Sequence, residues 1–309
     1  MSFAGQAGIL IFILSLMLHA IPAESAPINC NVGSIIGKGQ TSKVEENESL
    51  WEIARKFDVG INEISDANPG IDPIIPKPGT TVRIPTIWIL PDVPDRSGII
   101  INITEFRLYY FPPDSPGLIL TYPVGVGDEG KDTPVGTYTV VEKIPNPDWN
   151  VPESIRKEKP DLPKVVPFGP DNPMGNYALR LSLSTILIHG TDRPWGIGTR
   201  SSHGCLRLYP EDIERLFNLV DEGTKVTIVN QPIKVAACDG KIYVEVHKYG
   251  DIDYKGMALQ LLRRKGLLKR VDLVALKIAL NEKTGIPIEI TQNRRSRKYP
   301  STHKQSKKL

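Results

Sequence analysis

Residues 185–207 read Thr185-Ile-Leu-Ile-His189-Gly-Thr-Asp-Arg-Pro-Trp195-Gly-Ile-Gly-Thr-Arg-Ser-Ser202-His203-Gly204-Cys205-Leu-Arg207, and the rest of the 309-residue chain is organised around them. The apolar run Thr185 to Ile188 predicts a buried strand ending at His189, then a glycine-rich loop, then Cys205 shortly before a helix. Such a loop can fold a histidine back onto the thiol. An ordinary cysteine has a pKa near 8.5 and is only about 3% thiolate at pH 7, so a nucleophilic one needs a cationic neighbour. His189 and His203 are the two candidates for that neighbour. At Gly204 no Cβ obstructs the approach of backbone N–H groups to a tetrahedral oxyanion.

Outward from this stretch, strand patterns recur at Gly98 to Thr104, Phe106 to Phe111, Leu118 to Gly125, Thr137 to Lys143 and Tyr177 to Leu183. Their regular spacing predicts a mainly β fold with an antiparallel β-sandwich over residues 97–230. Residues Ile144 to Asn176 are rich in Pro, Asp and Asn and too long for an ordinary connection, so they are a candidate lid. Pro210 and the acids after it mark the start of a helix downstream of Cys205. Lys225 to Asn230, Ile233 to Ala237 and Lys241 to His247 read as further strands closing the sheet. Helical spacing at Met257 to Gly266 and Val271 to Leu280 predicts a helical C-terminal extension over 231–292.

At the other end, Gly8 to Leu18 is uninterrupted apolar or small. That is too short to span a bilayer, which takes about 20 residues, but it suits the core of a signal peptide over residues 1–25, with Ala23, Ser25 and Ala26 offering a cleavage site. An exported chain meets oxidising conditions in which spare thiols pair. If Cys205 stays free, Cys30 and Cys238 remain, either as a disulfide pair or as two inert thiols. Closing so long a loop stabilises by up to about 5 kcal/mol in the chain-entropy model. Residues 41–85 predict a strand, two short helices and a second strand, and Trp88 to Arg96 reads as a proline-punctuated linker. The formal net charge is only +3, yet basic residues crowd into 293–309, predicting a disordered basic tail through which any membrane contact would run. Aromatic interleaving is absent there, so nucleic acid is not an expected partner.

The histidine-glycine pair followed by Ser202-His203-Gly204-Cys205 resembles the signature of YkuD-type L,D-transpeptidases. Gly127 to Gly136 and Gly169 to Leu179 resemble further segments of that family, and the likeness spans roughly Ser97 to Asn230. Where many relatives carry Asn two residues after the cysteine, this chain has Arg207, as the ErfK-like Gram-negative branch does. Asn47-Glu-Ser-Leu-Trp51, Asn68-Pro69 and Lys77-Pro78-Gly79 resemble a LysM module, whose relatives bind N-acetylglucosamine chains.

These resemblances imply a periplasmic enzyme with Cys205 as acyl acceptor and His189 as general base. Its partners would be peptidoglycan stem peptides, and the acceptor amine either a second stem peptide or the lysine of a wall-anchored lipoprotein. Hydrolysis of the same thioester and a non-catalytic wall-binding role are the alternatives. Backbone N–H groups of His203, Gly204 and Cys205 are the expected oxyanion donors, and the Gly190 carbonyl is expected to orient the imidazole. Arg207 offers a planar fork for a substrate carboxylate. Ser202, Tyr177, Trp195 and Trp149 complete the expected substrate-binding set. No CxxC or HExxH spacing is present, so neither a metal nor another cofactor is implied.

Overall fold

The computed structural model describes residues 28–29 and 34–292. The expected signal peptide, Cys30 and the basic tail lie outside the described residues. A first unit comprises β1 (Gln40–Lys43), α1 (Leu50–Lys56), α2 (Ile61–Ala67) and β2 (Thr81–Ile84), with β1 antiparallel to β2. Helix α1 begins where it does because Ser49 and Glu52 form a capping box, each accepting the other's backbone N–H. Asn68 stops α2 and knits it to β2: its carboxamide donates to the Ile64 and Arg83 carbonyls and accepts the Arg83 N–H. Leu50, Ile53 and Ala54 face inward as their spacing predicts.

The expected linker at Trp88 is instead part of a strand. Ile87–Ile89 pairs with Ser34–Gly37, and Trp88 is fully buried. Its indole covers the Arg107 guanidinium at 4.2 Å, a contact with a residue on another strand that local punctuation cannot reveal.

The main sheet has eight strands. In chain order they are β3 (Gly98–Asn102), β4 (Arg107–Phe111), β5 (Leu120–Pro123), β6 (Gly136–Pro145), β7 (Tyr177–Leu181), β8 (Leu187–His189), β9 (Leu206–Arg207) and β10 (Lys225–Val229). Their spatial order is β9-β8-β7-β6-β10-β3-β4-β5. The expectation of an antiparallel sandwich is corrected in two ways. The β8–β9 and β10–β3 pairs are parallel, and the ten-residue β6 belongs to both halves, making one continuous mixed sheet. Its Gly136 to Thr139 segment pairs with β10 and its Val140 to Pro145 segment with β7, with a register shift between Val140 and Glu142 that bends the sheet around its core. Ile99, Leu108, Leu179, Ile188 and Leu206 fill that core, and α4 (Pro210–Leu219) packs Ile213 and Leu216 onto it.

Strands β11 (Ile233–Cys238) and β12 (Lys241–Val246) do not close the main sheet. They pair with each other, and β12 also pairs with the short β13 (Ile288–Glu289), under α5 (Tyr254–Arg264) and α6 (Leu273–Glu282). The C-terminal extension is therefore mixed α and β around a core of its own rather than purely helical. Fully buried Lys234 bonds to Glu105 and Glu245, with His247 Nε2 2.7 Å from Glu245, tying this unit to the main sheet. Glu105, Glu245 and His247 have metal-like spacing, but the Lys234 ammonium already supplies their counter-charge. No helix among the described residues is long and apolar enough to cross a membrane.

Candidate active site

The site is built on the parallel pair β8 and β9, in which Ile188 faces Leu206 and His189 faces Arg207. Ile188 and Leu206 point into the core, so by alternation His189, Arg207 and Cys205 share the opposite face. The parallel pairing needs a crossover, and residues 190–205 supply it. Gly204 turns the chain at φ +104°, a conformation that strains any side chain. Ser202 pins that turn, its Oγ donating to the Cys205 carbonyl at 2.6 Å and accepting the Gly204 N–H at 3.1 Å.

The Cys205 thiol is partly exposed, and its S–H donates to the Thr185 carbonyl at 3.7 Å. Burial pushes its pKa up, while the Leu187 N–H and the Arg207 charge pull the other way. His189 is buried and donates Nδ1–H to the Gly190 carbonyl at 2.7 Å, which leaves Nε2 as the lone-pair nitrogen. Burial, reinforced by Arg207, lowers its pKa to about 3. The resting pair is thus a neutral thiol and a neutral imidazole, and the cation nearest the sulfur in effect is Arg207, not a histidine. Arg207 donates to the Ser201 carbonyl at 2.9 Å and keeps a buried Nε without an acceptor.

The family models match here. Residues 96–228 fit the L,D-transpeptidase catalytic domain and residues 43–85 the LysM domain. The Escherichia coli K12 protein "Probable L,D-transpeptidase YcfS" is 38% identical over 293 residues, covering 89% of this chain and 91% of that one. The chain belongs to the YkuD L,D-transpeptidase family.

Two more E. coli K12 proteins agree. "Probable L,D-transpeptidase YbiS" is 36% identical over 87% of this chain and 92% of its own length, and "Probable L,D-transpeptidase ErfK/SrfK" is 35% identical over 92% and 96%. The protein is an enzyme, an L,D-transpeptidase. Among its expected site residues, Cys205, His189, Gly190, Gly204, Ser202 and Arg207 come together, whereas others do not. The His203 ring points to the surface, 2.6 Å from Lys131 Nζ and 3.2 Å from Glu158. Tyr177 lies on the core face of β7, its ring tilted against Phe217 with centroids 4.7 Å apart, because it shares parity with Leu179 rather than with Ala178, the partner of His189. Trp195 is exposed, and its carbonyl receives the Trp51 indole N–H of α1 at 3.1 Å. Trp149 sits on a two-stranded ribbon with Val166 in the 146–176 excursion.

That excursion is ordered. Asn172 donates to the Pro147, Val166 and Pro167 carbonyls, and Gly175 packs against Gly190 and Thr191 beside His189. Its short helix α3, Glu153–Glu158 and thus ahead of β7 in the chain, reaches Lys131 and His203 through Glu158. Sequence reasoning missed Thr133, which accepts the Gly127 N–H and donates to the Gly204 carbonyl, both at 2.9 Å. It lies inside the Gly127 to Gly136 segment, so the signal was present without its reason.

Proposed function

We propose that this enzyme is exported to the periplasm and acts on peptidoglycan stem peptides through a thioester on Cys205. The sulfur attacks the carbonyl of the L,D-bond as the thiol proton passes to His189 Nε2, forming the S–C bond and a tetrahedral oxyanion. Because the Gly204 N–H is held by Ser202 Oγ, the oxyanion falls to the N–H groups of His203 and Cys205. Collapse breaks the C–N bond, and the imidazolium returns its proton to the departing D-alanine amine. An acceptor amine then attacks the thioester, giving its proton to His189; the C–S bond breaks, and the imidazolium returns that proton to the sulfur. The acceptor is a second stem peptide or a lipoprotein lysine. Arg207, with its unused Nε, is placed to take a stem-peptide carboxylate. Ser202 is a structural pin rather than a substrate contact, and residues 146–176 are the lid.

The observation that carries this reading is the neutral pair itself: a buried His189 whose Nδ1–H is held by the Gly190 carbonyl, on the same face as Cys205, suited to take the thiol proton during attack. Incubating the purified protein with muropeptides and reading products by mass spectrometry tests it. The expected result is a Cys205-bound acyl group, loss of D-alanine and an amine adduct. Absence of both acyl-enzyme and transfer product would overturn it.

A further inference from the structure

Helix α6 is apolar on both sides. Leu276, Ala279 and Leu280 face the C-terminal core, as a surface helix requires. Its outer face also carries Leu273, Val274 and Ile278, which are 59%, 69% and 49% exposed. Val274 and Ile278 are one turn apart, with Leu273 beside them and Lys277 between, so these residues form a single stripe rather than scattered exposure. Contiguous exposed apolar surface of this kind marks a contact face.

Two further observations say what covers it. The turn leading into α6 presents exposed Lys269 and Arg270, so the N-terminal end of the stripe is basic. The described chain also ends there: Thr291 pairs with Val271, and the Gln292 N–H donates to the Arg270 carbonyl at 2.7 Å. The 17 residues that follow carry seven Lys or Arg and no Asp or Glu, in a chain whose whole net charge is only +3. The exposed apolar side chains of α6 and Gln292, from which this basic sequence continues, thus share one edge of the molecule. A ten-residue helix is too short to span a bilayer, which needs about 20 residues, but it can lie in the interface with its apolar side down. We propose that the outer face of α6, with the basic turn at Lys269 and Arg270 before it and the basic sequence after Gln292 adding charge, docks the enzyme onto an anionic phospholipid surface. Neither signal suffices alone for stable attachment, and the pairing of a shallow apolar insertion with a polybasic stretch is what membrane recruitment requires.

This inference is independent of the transfer chemistry. Its test uses the chain from residue 26 onward, which keeps every described residue and omits the N-terminal apolar run. Flotation with phosphatidylglycerol–phosphatidylethanolamine vesicles at about 0.15 M salt should show binding that weakens as salt rises, with little binding to phosphatidylcholine. The triple variant Leu273→Ser, Val274→Ser, Ile278→Ser should bind the anionic vesicles at least tenfold more weakly while its circular dichroism and Cys205 alkylation rate stay unchanged. Deleting 293–309 should leave weak, salt-insensitive binding. The proposal fails if the unaltered chain does not float with anionic vesicles, or if the triple variant binds as well as it does. It fails equally if the chain is a dimer in solution that the triple variant converts to monomer, since a second copy would then be what covers α6.

Discussion

At the scale of single residues, burial rather than a neighbouring imidazolium sets the protonation of the site. Desolvation raises the Cys205 pKa and takes His189 down to about 3, so transferring the proton from sulfur to Nε2 before substrate arrives is unfavourable. At pH 7 the thiolate fraction of Cys205 is therefore below the roughly 3% of an ordinary cysteine. The rate of iodoacetamide alkylation against pH should rise through an inflection above the usual thiol value near 8.5, with no step in the range where a free histidine titrates. Replacing Arg207 by Met removes a fixed positive charge that favours the thiolate and should move that inflection up. His203→Ala should leave it in place, because that ring is turned toward Lys131 and Glu158. His189→Ala should lower neutral-pH acylation by about 10²- to 10⁴-fold, the usual loss on removing a general base. An alkylation inflection below pH 7 in the unaltered enzyme would mean a resting thiolate, and the concerted account would be wrong.

Among the elements, the loop from Gly190 to Ser202 owes its shape to the LysM unit as much as to its own sequence. Its glycines predict a loop, but they do not predict why Gly198 must be one. A Cβ there would lie 2.4 Å from Gly60 Cα at the start of α2, at a φ of +79°. The Ile61 N–H also donates to the Ile197 carbonyl, and the Trp51 indole to that of Trp195. Gly198→Ala should destabilise the protein by about 2–4 kcal/mol, adding backbone strain to a clash, and should slow acylation by displacing the loop between His189 and Cys205. Gly130→Ala is the internal comparison, since it shares a positive φ of 73° but has nothing within 4 Å. Equal melting points for the two variants would remove the bracing role. The same contrast explains what the sequence disclosed. The capping box at Ser49 and Glu52, the strand ending at His189 and the helix after Pro210 are written in residues a few positions apart. Trp88 in a strand, Gly198 against Gly60 and the parallel β8–β9 pair depend on partners far along the chain, which no local pattern encodes. Tyr177 was legible and misread, because it alternates in step with Leu179 and Leu181 of the core.

On the scale of the whole molecule, the LysM unit is held to the main sheet by buried charge. Arg107 of β4, with no exposed surface, gives Nε and Nη2 to the two oxygens of Glu63 in α2, each at 2.8 Å. Beside this pair, Asp58 follows α1 and Asp212 opens α4, with Arg215 at 4.0 and 3.7 Å and the Arg107 charge also acting on Asp58. Asp58 Oδ2 and both Asp212 oxygens are buried without a donor, and a proton on Asp212 given to Asp58 supplies one. Burial first, and the Asp58 charge second, accordingly hold the Asp212 pKa well above the ordinary carboxylate value. A raised folded-state pKa contributes stability that is complete below the unfolded value near 3.9 and is lost as pH climbs to the folded one. At neutral pH and above, this dyad therefore weakens the junction. Asp212→Asn keeps a donor facing Asp58 and removes the titration, so it should raise the melting temperature relative to the unaltered enzyme at pH 8, with the gap closing as pH falls toward 4. Calorimetry of both proteins across that range reads the difference directly. If the gap is constant with pH, or if the variant melts lower at pH 8, then Asp212 is not the proton holder and the junction is stabilised by its ionised form.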